Sequence, residues 1–180
     1  MKNAALLVVD VQNALVKDKP YDIDKVINNI KNLIDICREN NVEVIYIQHN
    51  DEPGGDLEPQ STGWEIYKEI EPDKNEKIIN KIYNSAFKET NLKEYLESKG
   101  VNTLIITGMQ TEYCIDATTK AAFEYGYKLI IPEKTNTTFD NGSISAEELY
   151  KFYNYRIWKG RFGKVVNIHD VIAELKESTV

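Results

Sequence analysis

The chain has 180 residues, 42% of them hydrophobic, which is enough for one domain with a full core (residues 1–180) and too few for two. Its 22 Lys and Arg against 29 Asp and Glu leave a formal charge of -7, and the basic residues are scattered, which excludes a broad nucleic-acid or anionic-membrane surface. Two cysteines with no CxxC pair, beside only two histidines, exclude a disulfide scaffold and a structural zinc site, so a reducing cytoplasm is the expected compartment.

Ala4 to Val9 is an apolar run ending at Asp10. It has the length of a strand and is too short for a signal-peptide core or a membrane span, so secretion is not expected. A helix from about Asp22 to Glu39 follows, with Val26, Ile27, Ile30, Leu33, Ile34 and Cys37 at helical spacing. Glu43 to Gln48 is the second predicted strand. From His49 to Gly63 the turn residues Pro53, Gly54, Gly55 and Pro59 predict an exposed loop or lid.

Lys77 to Lys81 is a short predicted strand, and Asn91 to Lys99 a helix with a near capping box that stops at Gly100. The run Thr103 to Thr107 reads as a buried parallel strand, and Gly108 permits a sharp exit from it. Thr111 is then the expected N-cap of a helix from Glu112 to Tyr125, with Cys114 in its first turn. Amide groups and the helix dipole there favour a thiolate. Lys128 to Ile131 is a strand stopped by Pro132, Ser145 to Glu148 a capping box opening a helix to about Trp158, Val165 to Ile168 the last strand, and Asp170 to Lys176 a closing helix.

About six strands alternating with helices, joined by short connections, predict an α/β fold: a parallel sheet with helices on both faces, three layers in all. In such sheets ligands bind at the carboxyl ends of the strands. Those ends hold Asp10, Lys81 and the loop leading to Cys114: a carboxylate, an ammonium and a thiol, the minimum set for covalent acyl transfer. Cys37, on the apolar face of the first long helix, is explained by packing. His49, Trp64, Phe87 and Tyr113 are candidates to line the pocket, and His169 has no expected role. The aromatic and basic stretch Tyr155 to Lys164 reads as a helix end or a subunit contact rather than a nucleic-acid surface.

Three stretches, Ala5 to Asn13 (ALLVVDVQN), Lys81 to Leu92 (KIYNSAFKETNL) and Thr107 to Cys114 (TGMQTEYC), stand in one order and at distances that resemble the isochorismatase-like cysteine hydrolases. This superfamily includes nicotinamidases and N-carbamoyl amide hydrolases. The resemblance spans about residues 4 to 135 and implies a Rossmann-like fold in which Asp10 deprotonates Cys114, Lys81 holds both in place, and Cys114 forms a thioester. It further implies a cis peptide before Gln110, turning the amides of Gln110 and Cys114 toward one oxyanion. Where nicotinamidases carry an Asp-x-His and a further His as metal ligands, this chain reads His49-Asn50-Asp51-Glu52-Pro53-Gly54-Gly55-Asp56. No metal or other cofactor is therefore expected, and nicotinamide is a less favoured substrate.

The expected activity is hydrolysis of a small amide or carbamoyl-type C–N bond. The alternatives are vinyl-ether hydrolysis of the isochorismatase type, which needs no thiol, and a non-catalytic binding protein on the same scaffold. Oligomers are usual in the superfamily, and the Tyr- and Trp-bearing surface near Tyr150 to Trp158 is the expected interface of a homo-oligomer.

Overall fold

The computed structural model describes Met1 and residues 3–177. Seven parallel strands form its sheet: β1 (Ala4–Val9), β2 (Glu43–His49), β3 (Lys77–Lys81), β4 (Thr103–Met109), β5 (Lys128–Pro132), β6 (Asn136–Thr137) and β7 (Lys164–Val166). Their order is β3-β2-β1-β4-β5-β7, with the two-residue β6 paired to the end of β4. The helices are α1 (Asn13–Lys17), α2 (Ile23–Glu39), α3 (Leu92–Ser98), α4 (Asp116–Glu124), α5 (Ala146–Phe152) and α6 (Ile168–Glu177). Among the described residues no helix is long and apolar enough to cross a membrane.

Alternation along β1 supplies both faces of the sheet. Leu6 and Val8 pack in one cluster with Ile30, Leu33 and Ile34 of α2 and with Val171 and Leu175 of α6. Ala5, Leu7 and Val9 pack in the other with Leu92 and Leu96 of α3 and Ala122 of α4. A strand apolar on both sides is what a doubly covered parallel sheet requires, and each large aliphatic side chain so buried contributes roughly 1.5–3 kcal/mol.

The chain runs outward from β1 to β2 and β3, then returns to place β4 on the other side of β1. The connections therefore diverge between β1 and β4, which opens a crevice at their carboxyl ends. Register sets which residues meet there. Val9 is level with both Ile47 and Gly108, and His49 stands directly opposite Lys81.

Several local expectations are corrected. The segment before α4 is a π-helical turn, Thr111–Ile115, and Thr111 does not cap it; its hydroxyl donates to Asn136 Oδ1 at 2.9 Å. Asn91 makes no side-chain cap to α3. The Ser145 capping box is present, but the helix it opens passes into a second π turn, Tyr153–Trp158. The final strand ends at Val166, and α6 begins at Ile168. Tyr150 and Trp158, expected at a subunit surface, are 1% and 0% exposed; the Trp158 indole donates to Asp116 Oδ1 at 2.9 Å.

Gly108 is not an exit from β4 but lies within it, at φ 118°, and a Cβ there would stand 2.0 Å from the Val9 carbonyl oxygen. Only glycine permits β4 to lie this close to β1. Gly108→Ala is expected to destabilise the protein by roughly 2–3 kcal/mol by forcing the two central strands apart. Urea unfolding measures this, and an unchanged midpoint would contradict it.

Candidate active site

Asp10 is the first residue beyond β1. Its backbone is left-handed (φ 52°) and its amide donates to Ile47 O at 2.9 Å, which turns the carboxylate under the end of the sheet, where the residue is 2% exposed. Asp is among the few non-glycine residues that tolerate this conformation. Lys81 ends β3, and because β2 lies between β3 and β1, only a long stem brings its charge to Asp10. The Lys81 side chain is fully buried, and its Nζ lies 2.6 Å from Asp10 Oδ2, 2.9 Å from His49 Nδ1 and 3.3 Å from Cys114 Sγ.

An ammonium has protons to donate and no lone pair, so Lys81 donates to His49 Nδ1 and Cys114 Sγ while its contact with Asp10 is a close ion pair. The same logic assigns the His49 tautomer. Nδ1 accepts from Lys81, so the ring proton is on Nε2, which faces Asp51 Oδ1 at 3.4 Å. Burial and the Lys81 charge hold the His49 pKa below its ordinary value, outweighing Asp10 and Asp51, so the ring is neutral at pH 7.

The Cys114 thiol is shifted in the direction opposite to the sequence-based expectation. Burial raises its pKa most, the Asp10 charge raises it further, and Lys81 only partly opposes them. The thiol also points to Asn84 Oδ1 at 3.8 Å. Cys37 is fully buried and is pushed up to about 12, again by burial first. Asp10 Oδ2 touches the ammonium without accepting a well-directed hydrogen bond, and Oδ1 has no partner among the described residues. The carboxylate is thus free to take a proton from the thiol beside it.

These groups open onto a cavity of about 260 Å³. Asp10, Cys114, Gln110 and His49 form its floor, Asn84 and Tyr113 its sides, and Asp51, Asp56 and Leu57 its loop wall. A larger hollow of about 550 Å³ lies at the amino ends of the strands, between Asn3, Asn102 and Lys128, away from any cysteine. The Met109–Gln110 peptide is cis, as the resemblance implied.

Two predicted lining residues lie elsewhere. Phe87 is 7% exposed in the core, stacked near Tyr127 and Tyr125, and Trp64 turns its indole to Asn50 Oδ1 at 2.7 Å. Tyr113 does line the cavity, at its mouth, where its hydroxyl accepts from Asn141 Nδ2 at 2.9 Å.

Gln12 was missed as a site-building residue, although it stands two positions after Asp10 in the first of the three stretches. Fully buried, it exchanges hydrogen bonds with the backbone of His49 at 3.0 and 2.9 Å and donates to Trp64 O at 2.8 Å. Gln48 donates to the same Trp64 carbonyl at 2.9 Å, and Asn13 to Thr62 O at 2.9 Å. The far end of the loop expected as a lid is therefore tied, at Thr62 and Trp64, to the residues that follow β1 and to β2.

Asp10, His49 and Cys114 offer ligand atoms within 4.8 Å of one another. The Lys81 ammonium contacts all three, so a metal ion would have to displace a buried cation already held by the same donors. The donor set does not fit a metal.

Residues 4–166 match the family model described as Isochorismatase domain. A streptothricin hydrolase of Streptomyces noursei is 33% identical over 138 residues, 76% of this chain and 55% of that protein. The chain thus spans about half the length of the streptothricin hydrolases it matches. Nicotinamidase 3 of Arabidopsis thaliana is 32% identical over 157 residues, 77% of this chain and 75% of that one. Among solved structures, an isochorismatase from Pseudomonas putida KT2440 superimposes with a TM-score of 0.88 at 26% identity, over 93% of this chain and 89% of that one.

Since the Asp10 charge raises the Cys114 pKa, Asp10→Asn removes an opposing charge and leaves Lys81 unbalanced. The pH profile of Cys114 alkylation by iodoacetamide, followed by peptide mass, is expected to rise only at alkaline pH in the wild type and to move to lower pH in Asp10→Asn. A shift to higher pH, or none, would contradict this electrostatic picture.

Proposed function

This chain belongs to the isochorismatase family, and from that premise we propose that it is a metal-independent cysteine hydrolase cleaving a small amide or carbamoyl-type C–N bond through a thioester on Cys114. The observation that carries the reading is the single Lys81 ammonium in contact with both Asp10 and Cys114 at the cavity floor. A buried cation bridging a carboxylate with an unpartnered oxygen to a thiol is costly to maintain for packing alone. It is what nucleophile activation needs.

The raised thiol defines the order of events. Because Cys114 is protonated at rest, its proton passes to Asp10 as Sγ bonds to the carbonyl carbon, and Lys81 compensates the negative charge moving between them. The oxyanion is received by the amides of Gln110 and Cys114, which share the cavity floor, each worth about 3 kcal/mol in the transition state. Asp10 then returns the proton to the departing nitrogen as the C–N bond breaks. Water adds to the thioester, giving its proton to Asp10 and its hydroxyl to the acyl carbon. The C–S bond breaks, the acid leaves, and Sγ recovers its proton. His49, neutral and anchored to Lys81, holds the ammonium rather than transferring protons.

On a panel of small primary amides and N-carbamoyl compounds, Cys114→Ala is expected to fall to background, and Asp10→Asn to lose about 10²–10⁴-fold in kcat/KM. Cys37→Ala is expected to stay within about twofold of the wild type, since Cys37 packs in the core on the buried face of α2, away from the cavity. Turnover by Cys114→Ala at the wild-type rate would overturn the proposal.

A further inference from the structure

The cavity has a charge of its own, distinct from the chemistry on its floor. Asp10 is neutralised by Lys81 at 2.6 Å, whereas the loop wall adds Asp51 and Asp56. The ionisable partner of Asp51 is the His49 ring at 3.4 Å, and its other oxygen accepts from the Leu57 amide at 2.9 Å. Asp56 makes no ion pair among the described residues, and no lysine or arginine lines the cavity. On the cavity floor below this wall, Asp10 Oδ1 is an unpartnered acceptor on a residue 2% exposed.

Building on the amide-hydrolase reading above, we infer that the substrate is a small amide carrying a cationic group, an ammonium or amidinium, seated against Asp51 and Asp56, and that carboxylate-bearing amides are rejected. Two unbalanced carboxylates beside a narrow cavity attract a cation and repel an anion, and the low-dielectric walls strengthen both effects. Asp51 is fixed at the cavity by two bonds with Leu57, whose amide donates to Asp51 Oδ2 and whose carbonyl accepts from the Asp51 amide at 3.0 Å, and Asp56 stands exposed on the rim of the same wall.

The test uses three methanethiosulfonates of similar size: 2-aminoethyl (cationic), 2-sulfonatoethyl (anionic) and methyl (neutral). In each, Sγ of the Cys114 thiolate attacks the reagent sulfur, a disulfide forms and methanesulfinate leaves. Labelling rates at Cys114, read by peptide mass and normalised to those of 2-mercaptoethanol, are expected to favour the cation over the anion by about tenfold in the wild type. That preference should fall by roughly threefold or more in 0.5 M NaCl, in Asp56→Asn and in Asp51→Asn/Asp56→Asn. The salt arm requires no variant and so stands even if Asn at position 51 disturbs the Leu57 contact.

A normalised ratio near unity, or one favouring the anion, overturns the charge assignment while leaving Cys114 an accessible nucleophile. Failure of all three reagents, the neutral one included, removes the accessible nucleophile and both readings with it.

Discussion

The site depends on the burial of one ammonium. Lys81 has no solvent-exposed side-chain surface, and its ammonium contacts a carboxylate, an imidazole and a thiol contributed by three other parts of the chain. An uncompensated charge at that depth costs several kcal/mol, and the Asp10 carboxylate at 2.6 Å is the opposite charge that offsets it. The same constraint accounts for the neutral His49 tautomer, for the buried Asp10 and for the poor fit of a metal among these donors.

The sheet is what makes the convergence possible. Because β1 and β4 are neighbours whose connections diverge, Asp10 and the turn bearing Cys114 leave the sheet side by side, and the pairing of His49 with Lys81 brings the third acceptor into reach. Gly108, pressed against the Val9 carbonyl, sets how close those two exits lie. Asn136 then holds the cysteine turn from the far side, accepting from Thr111 and sharing a reciprocal amide pair with Asn154 at 3.0 Å. Geometry at the cavity floor is therefore fixed by buried polar contacts that no solvent competes for.

Strands and long helices were legible because their periodicity is strong: the apolar residues of β1 and the Val26 to Cys37 stripe of α2 fall where the pattern put them. What escaped has no such signal. The α1 helix has five residues and β6 has two, too short for periodicity, and the Thr111–Ile115 sequence reads identically whether the turn is α or π. Residue type could nominate Asp10, Lys81 and Cys114 because strand ends are readable. It could not separate Tyr113, which lines the cavity, from Phe87 and Trp64, whose rings turn away, because that depends on tertiary direction. The protonated resting thiol was likewise invisible, since burial and the Asp10 charge are properties of the assembled site.

The central claim is that the reaction passes through an acyl group on Cys114. Rapid quenching during turnover of the best amide from the panel, followed by peptide mass mapping, tests it directly. The account predicts that the peptide containing Cys114 gains the mass of the acyl fragment, that hydroxylamine removes it, and that the Cys37 peptide is unmodified. Product formation at full rate with no adduct on Cys114 at any quench time, although free enzyme is shown to be saturated, would contradict it.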